Sequence, residues 1–253
     1  MTRRILVVND DGILAPGIRV LERAARGLAK DVRVVAPETE QSAVSHSLTL
    51  HRPLRIRRIS SRRHAVDGTP TDCVYLAFNK VLKDCPPDLV LSGVNRGSNI
   101  GEDVTYSGTI AAAMEATLLG VPAIALSQEY SDGKRVRWST AEHWVPKVVR
   151  KLLKVGWPKG VLLNVNFPDV APGDVKGIRV VGQGRHEAAD LFEERVDPRG
   201  RTYYWIGVSD RAMETGRPGT DVRALHEGYI SVTPLHLDLA HRGTLTRMRK
   251  ALG

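Results

Sequence analysis

The amino-acid sequence predicts an α/β fold, a mostly parallel sheet with helices on both faces. Two observations carry this. Short, branched apolar runs recur at residues 5–9, 32–36, 88–92, 121–127 and 161–167, each of strand length and apolar enough to be buried on both faces. Between them lie stretches with apolar residues at helical spacing, and such alternation is the pattern of crossover units in a parallel sheet.

The first unit sets the pattern. The run at 5–9 ends in two adjacent carboxylates, Asp10 and Asp11, followed by Gly12. Residues 16–28 place Ile18, Leu21, Ala24, Ala25 and Leu28 at helical spacing, with Pro16 suited to a first turn. A second strand at 32–36 ends at Pro37, and the polar loop PETEQSAVSHSLT follows from its carboxyl end. Residues 54–59 alternate apolar side chains with arginine, as in a strand with one face in water. Residues 67–72 are a turn into a helix carrying Val74, Leu76, Ala77, Val81 and Leu82. Thr69 or Thr71 would cap that helix, and Pro86 and Pro87 stop it. The strand at 88–92 leads into a loop over 93–108 with no expected structure of its own; loops of that length are usually functional. Residues 109–119 form a strong helix closed by Gly120, and 141–155 form another.

Beyond Pro168 the texture changes. Residues 169–218 are richer in charge, Gly and Pro, with strand-like pieces at 178–181 and 203–208, the pattern of an extended hairpin arm. Residues 228–234 return to strand-like sequence and 244–252 read as a short helix. The expected division is a core over 1–168 and a C-terminal extension over 169–253.

Composition narrows the classes. The chain has 253 residues, 42% of them hydrophobic, enough to bury a core. No apolar run approaches the ~20 residues of a membrane span. The basic start MTRR precedes too short an apolar run for a secretory signal, so a cytoplasmic location is expected. Cys73 and Cys85 are the only cysteines and form no CxxC pattern, which argues against a disulfide framework or zinc site. Both read as small buried or partly buried side chains. The net charge is +9, and much of it lies in residues 51–64, HRPLRIRRISSRRH. No aromatic residue interleaves with these arginines to stack on bases, so a solvated strand and hairpin is favoured over a nucleic-acid surface.

In open parallel sheets, ligands bind beyond the carboxyl ends of the strands. Four polar clusters fall there: Asp10 and Asp11, the Gln41-Ser42 region, residues 92–95 ending in Asn95, and the loop from Asn95 to Thr109. Two close carboxylates resist ionising together. A hard divalent cation resolves that conflict, although Asp-Asp-Gly is also ordinary turn chemistry. Carboxylates together with Ser and Asn oxygens suit Mg²⁺, Mn²⁺ or Ca²⁺ better than zinc. Ser107-Gly108-Thr109 opens a strong helix, where N–H groups and hydroxyls make an anion site or, more plainly, a helix cap. Neither a GxxxxGK[ST] loop nor a G-x-G-x-x-G turn is present. His46 could serve as acid or base, and Asn99 could reach a substrate or hold the long loop.

The stretches ILVVNDDG, APETEQSAVSHSLT, DGTPTDCV, LVLSGVNRGSNIGEDVTYSGTIAAAMEA and EGYISVTPL, in this order over nearly the whole chain, resemble the SurE family, the survival-protein-E nucleotidases. The resemblance implies a Rossmann-like domain with a C-terminal extension used in oligomerisation, as a homodimer or homotetramer. It implies a metal-dependent phosphatase acting on nucleoside 5′- and 3′-monophosphates and, in some members, on short polyphosphate. The metal ligands would fall on Asp10, Asp11, Ser42 and Asn95, holding one Mg²⁺ or Mn²⁺ per subunit. Asn99, Ser107, Gly108 and Thr109 would be active-site and phosphate-binding positions. Ala43 stands where the resemblance leads one to expect glycine. The expected function is therefore phosphomonoester hydrolysis, by water attack or through a covalent aspartyl phosphate. The rival of another class is a nucleotide-binding regulatory protein without turnover.

Overall fold

The computed structural model describes residues 4–131, 135–185, 191–207 and 216–253. Its centre is β1 (Arg4–Val8), flanked by β2 (Asp31–Pro37) and β5 (Leu89–Arg96), both parallel to it. Alternate residues of a strand face opposite sides. Here Ile5 and Val7 pack into one apolar cluster, with Ile18, Leu21 and Val145. Leu6 and Val8 pack into the other, with Val74, Ile110 and Ala113. The first cluster is covered by α1 (Pro16–Arg26) and α4 (Trp138–Val155), and the second by α2 (Pro70–Leu76) and α3 (Gly108–Leu118). This is the two-faced α/β architecture that the sequence predicts.

The remaining strands are β3 (Ile56–Arg58), β4 (Arg63–Val66), β6 (Ala123–Gln128), β7 (Val161–Phe167), β8 (Ile178–Val180) and β11 (Ile230–His236). Among the described residues one nine-stranded sheet runs in the order β3-β4-β2-β1-β5-β6-β7-β11-β8. The stretch from β4 to β7 is parallel; β3 and β11 are antiparallel to β4 and β7. A separate two-stranded hairpin joins β9 (Leu191–Val196) to β10 (Thr202–Gly207). Two further helices, α5 (Asp221–His226) and α6 (Arg242–Leu252), complete the chain.

The differences from the sequence reading have physical causes. The strand and hairpin expected over 51–64 are the antiparallel pair β3–β4, but β4 runs on to Val66 and pairs with β2 as well, which Arg63 and His64, breaking any apolar pattern, do not signal. The arginine-alternating run keeps only residues 56–58 as β3. The helix after Thr69 starts with the expected cap, the Thr69 side chain accepting from the Asp72 N–H, but its second half is a π-turn, Ala77–Val81. The loop over 93–108 has structure after all: β5 continues to Arg96 through an irregularity at Gly93, and a 3₁₀ turn spans Gly101–Thr105. The arm-like segment yields the β9–β10 hairpin, whereas β8 pairs with β11 in the main sheet. Val208, placed in a strand by sequence, lies outside the described residues. α5 was missed; it is six residues long and buries Val222 and Leu225 against Ile100. Cys73 is buried, but Cys85 is exposed. No helix among the described residues is long and apolar enough to cross a membrane.

α1 lies so close to β5 that a Cβ on Gly17 would stand 1.9 Å from the Val94 carbonyl oxygen and 3.0 Å from the Trp138 ring. Overpacking of this kind costs ~1–3 kcal/mol. Gly17→Ala is expected to lower the urea midpoint by a corresponding amount, and an unchanged midpoint would show that α1 has room to retreat from the sheet.

Candidate active site

β1 delivers Asp10 and Asp11 to the carboxyl edge of the sheet, and Gly12 turns the chain away. Gly12 has φ +97°, which glycine adopts freely, and a Cβ there would stand 3.2 Å from the Thr39 main chain. Asn9 braces the turn by donating from Nδ2 to the Gly12 carbonyl at 2.9 Å. Asp10 is 6% exposed. Its main-chain oxygen accepts from the Gln41 N–H at 2.8 Å, which ties the loop containing Ser42 to the strand end. Its carboxylate accepts from the Thr109 hydroxyl. The start of α3 is pressed against it: a Cβ on Gly108 would stand 2.8 Å from the Asp10 Cβ. Asp11 accepts from the Arg96 N–H at 3.1 Å, which brings the end of β5, and Asn95 with it, to the same edge.

The electrostatics follow from this burial. Burial raises the Asp10 carboxyl above its ordinary value, against the opposing pull of the Thr109 hydroxyl. Burial, then the neighbouring Asp10, push Asp11 up to about 7. Glu40 adds further negative charge to both. The two aspartates thus form a partly uncompensated acidic centre.

The oxygen donors left over suit a hard cation. Asp10 Oδ1 accepts from the Thr109 hydroxyl, and the Asp10 carboxylate also meets main-chain N–H groups, while Asp11 Oδ2 accepts from the Arg96 N–H; carboxylate oxygens have further lone pairs to offer a cation. Asn95 spends its amide nitrogen on the Gly97 carbonyl at 3.0 Å, and its amide oxygen is the end available to a metal. Ser42 donates its hydroxyl proton to Glu40 at 2.7 Å and keeps its lone pairs. These four residues could hold an oxygen-liganded divalent ion. Among the described residues no three His, Cys, Asp or Glu side chains gather as a metal set, so the amide and hydroxyl oxygens would be indispensable.

Ser107 caps α3, its hydroxyl oxygen accepting from the Ile110 N–H at 3.1 Å. Its hydroxyl proton stays available to an anion. Asn99 sits deeper. Its amide nitrogen donates to Ser127 at 2.8 Å, its N–H donates to Asn166 at 2.8 Å, and its carbonyl accepts from Asn164 at 2.7 Å. It pins the long loop to β6 and β7. His46 pairs with Glu115 at 2.9 Å. Ala43 adopts φ +56°, in the left-handed region that favours glycine, which accounts for the glycine expected there.

Beside Asp11 opens a cavity of about 570 Å³ walled by Pro16, Glu40, Arg96, Val136 and Trp138. The Arg96 guanidinium lies over the Tyr130 ring at 5.0 Å. Sequence reasoning did not single out Glu40, Arg96 or Trp138. Each is an unremarkable residue in its own segment, and only tertiary proximity to Asp11 marks it.

The sequence model of the family described as Survival protein SurE matches residues 5–190. The chain belongs to the SurE family. A relative from Paramagnetospirillum magneticum, named 5'-nucleotidase SurE, is 60% identical over 98% of this chain and 95% of its own length. Another of that name, from Parvibaculum lavamentivorans, is 55% identical over 99% of this chain and 91% of its own. The crystal structure of the SurE protein from Aquifex aeolicus superposes with a TM-score of 0.85 at 40% identity, covering 99% of this chain and 100% of that one. The SurE fold, with its mostly parallel sheet and C-terminal hairpin, is therefore the fold of this chain.

Two outcomes are expected for the carboxylate pair. Asp10→Asn removes a buried charge while keeping an acceptor for Thr109, so in chelator the variant melts at or above the wild type. Asp11 binds its proton more tightly in the folded chain than in the unfolded one, with a folded value of about 7. The folded state then holds more protons between about pH 4 and 7, and stability falls as pH rises through that window. In chelator, the melting temperature of the wild type relative to Asp11→Asn should drop across it. A difference independent of pH would show that Asp11 is not raised.

Proposed function

We propose that the chain is a divalent-metal-dependent phosphomonoesterase that hydrolyses nucleoside monophosphates to nucleoside and phosphate. The observation that supports it most is the juxtaposition of the buried Asp10 and half-buried Asp11 with the start of α3, in a chain whose relatives are named 5'-nucleotidase. We assign metal holding to Asp10, Asp11, Ser42 and Asn95, with one Mg²⁺ or Mn²⁺ per subunit. When bound, that ion supplies phosphoryl polarisation and a water of lowered pKa.

The chain's own residues do the rest. Ser107 donates its free hydroxyl proton to a phosphate oxygen, and the first N–H groups of α3 favour the charge that develops there. Gly108, with no side chain, lets the phosphate and Asp10 approach the same point. Thr109 orients the Asp10 carboxylate through its hydroxyl. One of the two aspartates takes the proton of the attacking water. Asn99 acts by holding the loop that carries Ser107. The nucleoside occupies the neighbouring cavity, with Trp138 offering an aromatic face to the base. The reading extends to 3′-monophosphates and short polyphosphate. It assigns the β9–β10 hairpin, with Phe192 stacked on Tyr204 at 5.0 Å and Trp205 and Ile206 exposed, to homodimer or homotetramer assembly within the extension over 169–253.

Phosphate release from AMP tests the activity. Excess chelator is expected to abolish it and added Mn²⁺ or Mg²⁺ to restore it; full activity in chelator after dialysis removes the metal from the reading. Tight AMP binding without phosphate release at any metal concentration would replace catalysis with nucleotide sensing. Trp138→Ala is expected to raise KM for AMP about tenfold, in line with the ~1–3 kcal/mol of a base–aromatic stack. KM for ribose 5-phosphate, which lacks the base, should change little. Equal rises for both would put the base elsewhere.

A further inference from the structure

The arginine-rich stretch that gives the chain much of its charge divides into two groups. Arg57 pairs with Glu38 at 2.7 Å, Arg63 with Glu22 at 2.7 Å, and Arg52 with Asp67 at 3.3 Å. Arg58 has no carboxylate partner among the described residues; its Nε donates to the Ser60 carbonyl at 3.3 Å. The sheet register explains where it points. Arg58 stands opposite His64 on β4, and His64 stands opposite Val35 on β2. Residues two apart on a strand share a face, so Arg33, His64 and Arg58 project from one face of three neighbouring strands. Like charges in cross-strand proximity cost stability.

The π-turn brings a fourth basic group. Its i→i+5 bond, from the Leu82 N–H to the Ala77 carbonyl at 2.7 Å, places Lys80 on the same rim. π-turns are rare and occur disproportionately at functional sites. The result is a cavity of about 360 Å³ with Arg33, Arg58, His64 and Lys80 around a floor of Ile56 and Val81. No carboxylate is among its lining residues. Arg33 is the partly neutralised member, with Asp31 at 2.8 Å. His64 Nδ1 is buried and has no hydrogen-bond partner among the described residues. Burial, then Arg58 and Arg33, hold that histidine below its ordinary pKa. The cavity lies toward the amino-terminal ends of β2 and β4, whereas the aspartate pair lies beyond the carboxyl end of β1.

We propose that this cavity binds a small phosphate-bearing anion, separately from the candidate active site. Donors converge on it from three strands and the π-turn. A tetrahedral, multiply charged group can use several directions at once, whereas one carboxylate fills a single arginine fork. The small volume and the absence of an aromatic lining residue disfavour a nucleic-acid strand. The proposal does not depend on the activity assigned above.

Titration of the full chain in chelator at fixed ionic strength tests it, with the His64 ring resonances in NMR as the local readout. Tripolyphosphate is expected to move them saturably at sub-millimolar concentration. An orthophosphate arm tells a single phosphate from a phosphate chain, since a single-phosphate site saturates with both. The Arg58→Ser/Lys80→Ser double variant should bind at least tenfold more weakly while hydrolysing AMP as the wild type does. Both side chains are exposed, and Arg58→Gln alone, expected to show an intermediate loss, serves if the double variant folds poorly. The proposal fails if the His64 resonances do not respond, if the double or single variant binds as the wild type does, or if only a single-stranded oligonucleotide moves them.

Discussion

Everything at the carboxyl edge of the sheet depends on one unfavourable interaction, the confinement of the Asp10 and Asp11 carboxylates at the end of β1. Burial disfavours their charged forms and each raises the other's cost. The fold tolerates this because its neighbours are arranged around the charge. The Thr109 hydroxyl and the Arg96 N–H donate to the pair. The Gln41 N–H holds the main chain below it, and Gly108 has no side chain to keep α3 away. The Arg96 guanidinium offsets part of the charge on Asp11, but less than burial and the neighbouring Asp10 raise its cost. The pair stays short of full electrostatic compensation in the isolated chain.

The rest of the architecture delivers these groups. Asp10 and Asp11 come from β1, Ser42 from the loop after β2, Asn95 from β5 and Ser107 from the start of α3. Because β1, β2 and β5 are adjacent and parallel, their carboxyl ends meet without any long excursion of the chain. Asn99 completes the arrangement by fastening the long loop to Ser127, Asn164 and Asn166, all buried polar residues on β6 and β7. Buried amides of this kind fix one geometry, since any slip leaves polar groups without partners.

Positive charge is distributed by a different rule. The edge strand β3 and its neighbour β4 carry arginines, which on the edge discourage edge-to-edge pairing, and two of these, Arg57 and Arg63, meet carboxylates nearby. The exception is the face shared by Arg33, Arg58 and His64, where strand register gathers basic groups and only Arg33 meets a carboxylate, Asp31. Composition alone, a net charge of +9, says nothing about which arginines are neutralised.

The sequence by itself determined the layers. Branched apolar runs and helical spacing are local signals, so β1, β2, β5, β6, β7, α1, α3 and α4 were legible to within a few residues, as were the carboxylate pair and the Ser107 cap. It did not reveal the place of β4 between β3 and β2, which comes from pairing partners, nor the π-turn and 3₁₀ turn, nor the membership of β8 and β11 in the main sheet. The same division holds at the site. Residue types with suitable chemistry could be read from the chain, but which oxygens remain free depends on bonds between segments far apart in sequence, Asp10 with Thr109 and Asp11 with Arg96. Local sequence encodes backbone preference and burial pattern; hydrogen-bond partners across the sheet edge, and hence the charge left unbalanced there, exist only once the tertiary structure has brought the strands together.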